Sequence, residues 1–478
     1  LIIPGNSQAS TGYTIDQSIR FNDDDSAYMS RTFSASNRKT LTFSCWVKRG
    51  NQGTNQNIFG PQTNNTGSGT YGVIRFNPQN ELDIFDYTNG TTNWRLQSTQ
   101  LLRDSSAWYH FVFSMDTSNA ASSERLRMYI NGQRVTDFDV ETQPSLNYEG
   151  QWNNNLSHEI GAIQRGSTNQ YFDGYLAEIV FIDGQALDCN SFAEFNDSGI
   201  WIPKEYSGSY GTNGFKIDGR DSSDLGDDES GNGNDFTTYN LAAHDQVLDS
   251  PTNNFATFNP VMTNDSDFEF TQGNLTLDMN TNKSWYVGAG ASVSVSSGKW
   301  YWESYWNGGD SYTIWGILDT EQLHVLAGSG STVIYSLNFQ GIQPNASGNN
   351  DIYGGGSGAT IGNTGQAASP GGIWQFALDL DNNKMWLGYN GTFLNSGDPA
   401  AGTNETWSST YITSSSYTPI NLGYQISAHS VLTYNFGQDS TFAGAVSAGG
   451  NKDSNGIGNF KYSVPSGYKA LCSKNIGS

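Results

Sequence analysis

Apolar and polar side chains alternate with a period of two along much of this chain. In TLTFSCWVKRG, Leu41, Phe43, Cys45 and Val47 fall on one face and Thr42, Ser44, Trp46 and Lys48 on the other, the pattern of a strand buried on one side. WYHFVFSMD (108–116) and RLRMYINGQRV (125–135) repeat it. Asn131 and Gly132 supply the two residues that tolerate the positive φ of a type I′ hairpin turn, and the Asn-Gly pairs at 89–90 and 390–391 predict the same. No stretch holds a 3.6-residue apolar period over three turns; the nearest, DCNSFAEFND (188–197), has Asp188 as its N-cap. Closely spaced strands with turn residues between them and no βαβ rhythm predict an all-β protein of antiparallel β-sandwiches or jelly rolls.

The patterning divides the chain. Strand signals fill residues 16–205, and from about Tyr206 to Val261 Gly, Asp, Asn and Ser crowd YSGSYGTNG and RDSSDLGDDESGNGNDF, with Pro251 and Pro260 following. This predicts a connector over 206–261. Strand patterns return in SVSVSSGKWYWESYW, GIWQFALDLDNNKMWLGYNGTFL and PINLGYQISAHSVLTYNFG, giving a second β domain over 262–478. Residues 1–15 precede the first strand and form an N-terminal arm, which we expect to dock onto a neighbouring subunit or particle. A length of 478 residues agrees with two or three domains.

Composition removes several function classes. Lys and Arg number 23 against 46 Asp and Glu, a formal net charge of -23, so nucleic acid is excluded as a partner. The longest apolar runs, such as EIVFI (178–182), fall far short of the ~20 residues of a membrane helix. LIIPGNSQAS has no basic flank or long hydrophobic centre and does not read as a secretory signal. Three scattered cysteines, Cys45, Cys189 and Cys472, make no disulfide framework and point to synthesis in a reducing cytoplasm. Aromatics reach 13%, and such a chain folds.

Several phrases carry a resemblance. SIRFNDDDSAYMS, TFSCWVKRG, RMYINGQ and above all FDGYLAEIVFIDGQAL (172–187) resemble the laminin-G-like, concanavalin-A-like jelly rolls, whose closing strand matches Gly174–Ile182 with Glu178. GKWYWE (298–303), FALDLDNNKMWLGYNG (376–391) and LTYNFGQDSTF (432–442) resemble a SPRY domain in order and spacing. The run from LIIPGNS through DSPTNNFATFNP (249–260) to FKYSVPSGYKALCSKNI (460–476) is similar to virion-associated proteins of marine tailed bacteriophages. The resemblance implies a lectin-type sandwich in series with a partner-binding module, on a virion assembled in the bacterial host cytoplasm. The partners it implies are other virion proteins and host surface glycan; we also expect a homo-oligomer, without membrane insertion.

Candidate chemistry is sparse. In TDFDVE, alternation would put Asp137, Asp139 and Glu141 on one face, the arrangement a glycoside-cleaving carboxylate pair needs. The glucanase Glu-x-Asp-x-x-Glu order is not met there, and a solvated strand face is the plain alternative. His110, His158, His244, His324 and His429 form no zinc-binding spacing, Gly298-Lys299 lacks the rest of a P-loop, and no G-x-S-x-G elbow occurs. For calcium, Asp23, Asp24 and Asp25 offer a loop cluster, and DDESGNGNDF (227–236) opens like a calcium loop with Asp228 and Asn232 as ligands. The twelfth position is Tyr239 where a bidentate Glu belongs, so a turn closing onto a strand, a flexible linker and a metal loop are all readings of it.

Rings among amides are how lectins hold sugars. Tyr71, Tyr87, Trp94, Trp152, Tyr171, Trp306 and Trp407 stand in loop-like settings and are the glycan-binding candidates, with ordinary packing as the alternative for each. The expectation is therefore a non-enzymatic appendage protein with no resident cofactor other than a candidate Ca2+. Alternatives are a glucanase-type polysaccharide depolymerase and a purely structural virion protein.

Overall fold

The computed structural model describes residues 12–63, 69–164, 169–263, 268–279, 287–309, 313–326, 337–343, 349–355, 359–423 and 430–476. Most of the N-terminal arm, residues 1–11, lies outside them, as does His429. The chain forms two compact units that divide between Asn254 and Phe255. Each contains two large sheets, antiparallel as the alternation predicts but for one short parallel pair, and the N-terminal unit adds two two-stranded ribbons, Ala162–Ile163 with Gln170–Tyr171 and Ala193–Phe195 with Trp201–Pro203.

In the N-terminal unit, sheet one runs Gln133–Arg134, Leu126–Ile130, Trp108–Asp116, Thr40–Arg49, Gly174–Asp183, Ser18–Phe21 and Gln246–Val247, with Phe215–Ile217 also paired to Gly174–Asp183. Sheet two runs Phe138–Thr142, Thr91–Leu101, Glu81–Thr88, Tyr71–Phe76, Gln56–Gln62, Ser157–Ile160, Tyr28–Thr32 and Thr237–Tyr239. Phe43, Cys45 and Val47 face Phe59, Ile74, Ile84 and Trp94 across the core between them. The three Asn-Gly turns form as predicted, with positive φ at both residues of each pair. The helical signal at 188–197 gives only a 3-10 turn, Cys189–Ser191, which Asp188 caps by accepting from Asn190 N; the chain then enters the strand Ala193–Phe195.

Two expectations need correction. Thr40–Arg49 is buried on both faces, because Phe192, Trp201 and Val247 join Trp46 and Trp108 in a second core on the outer side of sheet one. The connector over 206–261 is not a connector: its first 49 residues belong to the N-terminal unit. Phe215, Ile217, Leu225 and Phe236 enter the main core, and three short strands within this stretch extend the sheets. Buried ion pairs fasten the segment. Lys48 Nζ lies 2.7 Å from Asp249 Oδ2 and 2.8 Å from Asn254 Oδ1, and Trp108 Nε1 donates to Asp249 Oδ1 at 3.0 Å. With each charge partnered inside, removing either Lys48 or Asp249 would strand the other.

In the C-terminal unit, sheet three is formed by Phe258–Thr263, Val287–Ala291, Tyr417–Gly423, Thr313–Asp319, Phe339–Gln343, Asn349–Gly354 and Ala359–Ala367. Sheet four is formed by Phe268–Thr271, Thr276–Met279, Ser430–Asn435, Lys299–Gly309, Ile373–Asp379, Lys384–Tyr389 and Thr392–Phe393. Lys469–Ala470 adds to sheet four in parallel, against Lys299–Gly309. In KWYWESYW, Trp300, Trp302 and Trp306 point into the core, and Tyr301 and Glu303 point outward, where residues 460–462 cover them.

Candidate functional site

The structure separates the sequence-selected aromatics into two groups. Trp94, Trp152 and Trp407 are 0–1% exposed, Trp306 6% and Tyr71 8%, so none of these five offers a ring face to a ligand. Trp94 belongs to the inward set of a strand, alternating with Leu96, and packs against Trp152 and Phe113. Trp407 bridges to Met385, and its Nε1 donates to Tyr353 O at 2.8 Å. Tyr87 and Tyr171 are half-buried on the outer side of sheet two, where Tyr87 packs with Tyr71, Val73, Phe85 and Ile163.

Tyr171 leads to a ring pair that sequence reasoning missed. Tyr28 and Tyr239 are opposed across the outermost strand pair of sheet two, with centroids 4.4 Å apart and planes within 3°. Tyr171 lies 6.3 Å from Tyr28 at 48°. Tyr28 and Ser30 alternate with the inward Met29, so rings and hydroxyls share the outer face. Ser30 Oγ and Ser157 Oγ are 2.8 Å apart. Glu159 follows two residues after Ser157; its carboxylate accepts from Gln62 Nε2 at 2.7 Å and Gln164 N at 2.8 Å, and burial raises its pKa to about 7.

The carboxylates proposed for glycoside cleavage do not assemble. Phe138 pairs with Ser98 but Val140 with Gln97, a bulge at Asp139 that breaks the alternation joining Asp137 to Glu141. Asp139 instead hydrogen-bonds Glu81, which raises the Asp139 pKa. Nearby Asp83 is held between Arg75 and Arg95, at 3.0 and 2.8 Å.

A Ser-His contact occurs on sheet one, Ser44 Oγ to His110 Nε2 at 2.9 Å. Its polarity is the reverse of what a nucleophile needs. Trp201 Nε1, which can only donate, points at His110 Nδ1 at 3.1 Å. Nδ1 is therefore the bare acceptor and Nε2 carries the proton, so His110 donates to Ser44 and takes nothing from it. Burial holds the His110 pKa down at about 3.

Beside Ser44 lies a cleft lined by Tyr13, Trp46, Phe192, Tyr206 and Tyr210 around Glu178 and Lys216. Glu178 has φ of 47° at a bulge between Ala177 and Val180, a strained position for a non-glycine residue. Its carboxylate accepts from Tyr13 OH and lies 3.3 Å from Lys216 Nζ. The chain's own lysine thus occupies the acidic end of an aromatic cage, and the remaining space, about 10 Å3, has room for about one water.

The calcium candidates are engaged otherwise. Asp228 Oδ1 accepts from the amides of Lys216 and Ser230, both at 2.9 Å, and Oδ2 from Asn234 N and Ser230 Oγ, both at 2.8 Å. Asn232 Nδ2 donates to Gly211 O and Gly214 O, so DDESGNGNDF is a hydrogen-bonded turn that feeds Thr237–Tyr239. Both carboxylate oxygens of Asp23 accept from Asn51 Nδ2, Asp24 is exposed, and Asp25 accepts from Asn22 Nδ2. Among the described residues no three His, Cys, Asp or Glu side chains gather as a metal site.

Comparisons with known proteins found the following similarities. The HERC1 SPRY domain from human is 14% identical, with 34% of this chain and 87% of that one covered at a TM-score of 0.25. A putative carbohydrate binding protein from Bacteroides ovatus is 15% identical, with 47% and 58% covered and a TM-score of 0.32. Mouse laminin alpha1 chain domains LG4-5 are 11% identical, with 89% of each chain covered and a TM-score of 0.28. No curated protein matches the chain. Residues 21–188 match the family model of the concanavalin A-like lectin/glucanases superfamily, so this part of the N-terminal unit is similar to the lectin-like domains of that superfamily.

Proposed function

We propose that this chain is a non-enzymatic recognition protein of a bacteriophage particle, a fibre, decoration or adhesin component, that binds host surface glycan through its N-terminal unit and neighbouring virion proteins elsewhere. The observation that carries the glycan reading is the outer side of sheet two, where Tyr28, Tyr171 and Tyr239 stand beside hydroxyls and amides. Flat rings next to hydrogen-bonding groups are what a sugar's C–H face and hydroxyls require. The reversed Ser44–His110 bond and the bulge at Asp139 favour recognition over catalysis. The particle assignment rests on the resemblance of LIIPGNS, DSPTNNFATFNP and the C-terminal run to virion proteins of marine tailed phages. As a virion component the protein is expected to assemble in the host cytoplasm as a homo-oligomer, without a resident cofactor.

Two measurements test this. Electron microscopy of purified particles labelled with an antibody to this chain is expected to place it on an external appendage, and absence from the particle overturns the virion reading. A glycan array probed with the whole protein is expected to give specific retention. Release of reducing sugar from any arrayed polysaccharide would favour the depolymerase instead.

A further inference from the structure

We infer that the Tyr28–Tyr239 stack, with Tyr171 beside it, is the sugar-contacting site of the N-terminal unit and that it takes an uncharged pyranose. This rests on the glycan reading above and gives it a location and a ligand class. Tyr239 lies outside residues 21–188, so the site is built partly from chain beyond the lectin-like match.

Three observations lead here. First, Tyr239 is 42% exposed, yet its ring is fixed by stacking on Tyr28. A held ring loses little side-chain entropy when a ligand arrives, which is how rigid aromatic anchors gain affinity. Phe195, another exposed ring at 49%, instead packs edge-on to Trp201, a buried residue committed to His110.

Second, Thr237–Tyr239 is the outermost strand of sheet two, paired on one side to Tyr28–Thr32. An edge strand leaves part of its backbone N–H and C=O row facing outward, donors and acceptors for sugar hydroxyls next to the ring. Asn240, at φ 53°, closes this edge by donating Nδ2 to Asp25 O at 2.7 Å.

Third, the charges around the stack select the ligand. Glu159 pairs with Ser30 in the neighbouring strand and so shares the outer face that carries Tyr28. Among the described residues the neighbouring cation, Arg31, two residues beyond Met29, turns to Asn234 and lies over the Phe33 ring at 5.3 Å. A uronate or sialate would meet Glu159 here and, among the described residues, no guanidinium fork, in a chain of net charge -23. An uncharged pyranose meets no such penalty.

The test is an array carrying neutral hexose and N-acetylhexosamine oligosaccharides beside sialylated and uronate-bearing ones, probed with the full chain and with Tyr239→Ala, Tyr239→Phe and Tyr171→Ala. Neutral ligands are expected to be retained. Tyr239→Ala should weaken binding about tenfold, the scale of one lost ring contact, and Tyr239→Phe should keep most of it. Circular dichroism checks folding, and Tyr171→Ala, with a smaller expected loss, reports on the site should Tyr239→Ala unfold. Undiminished binding by both alanine variants places the site elsewhere while sparing the lectin reading. Retention of anionic glycans alone overturns the ligand class, and no retention of any glycan by the unmodified chain overturns both.

Discussion

Glu159 in sheet two and Glu303 in sheet four are matched positions with opposite surroundings. Each is a glutamate on the outer side of a sheet, and burial raises each pKa, to about 7 and about 6. Glu303 is stitched in by its own chain: it accepts from Tyr301 OH at 2.9 Å, from Lys461 N and Tyr462 N at 2.8 Å, and from Asn435 Nδ2 at 3.2 Å. Glu159 accepts from one side chain and one amide, on the face that carries the tyrosine stack. A buried carboxylate surrounded by four donors is a fastening for the C-terminal wrap. Among the described residues Glu159 has two protein donors, and it shares its face with the tyrosine stack.

The comparison breaks first if the buried tryptophans are not core. Trp94→Ala should destabilise the N-terminal unit by about 3–5 kcal/mol through transfer and cavity terms. Urea unfolding followed by near-ultraviolet circular dichroism measures it, and an unchanged midpoint would return Trp94 to the surface. Next in size, Glu303→Ala strands the Lys461 and Tyr462 amides and should remove about 3 kcal/mol, with accelerated proteolysis of the chain after 436, if those donors lose their acceptor without replacement. Glu303→Gln should fall between the two.

Asp228→Ala removes the acceptor of three backbone amides and should lower stability by about 2 kcal/mol. The melting temperature of the unmodified protein should be equal with calcium and with chelator; a rise with calcium would reinstate a metal loop. For pH, both glutamates bind protons more tightly folded than at their ordinary value of 4.5. The folded state therefore holds the extra proton, and stability should fall as pH rises from about 4.5 to 7, then level off. Glu159→Gln should flatten the upper part of that slope and Glu303→Gln the lower part. The smallest effect is expected of Tyr239→Phe, within about 0.5 kcal/mol in melting experiments, since the stack survives.

Alternation and turn chemistry made the sheets legible. The strand over TLTFSCWVKRG with Leu41, Phe43, Cys45 and Val47 on one face, the strand in KWYWESYW and the three Asn-Gly turns are local properties, and they form as read, although the first strand is buried on both faces. The last fifth of the N-terminal unit was not legible, because its apolar residues are thinly spread among Gly, Asp and Asn and its strands, Phe215–Ile217, Thr237–Tyr239 and Gln246–Val247, are only two or three residues long. Their partners lie far back in the sequence, as Thr237–Tyr239 does from Tyr28–Thr32. Amide-rich surroundings misled the reading of Trp94, although its alternation with Leu96 in TTNWRLQ was a visible strand signal. Trp152 and Trp407 gave no such signal, since contacts distant in sequence bury them. Tyr239 was noticed only as a missing calcium ligand, and the ring it stacks on is more than 200 residues away.

The turn that delivers Tyr239 offers a practical handle. Gly231 and Gly233 both have positive φ and open space where a Cβ would stand. Asp228, Asn232 and Asn234 tie down the chain around them. A short tag inserted between these glycines would sit at an exposed tip on an anchored base, the kind of position where insertions are tolerated. A fluorophore there would lie only a few residues from the tyrosine stack and would test for occupancy of that edge without altering a ring.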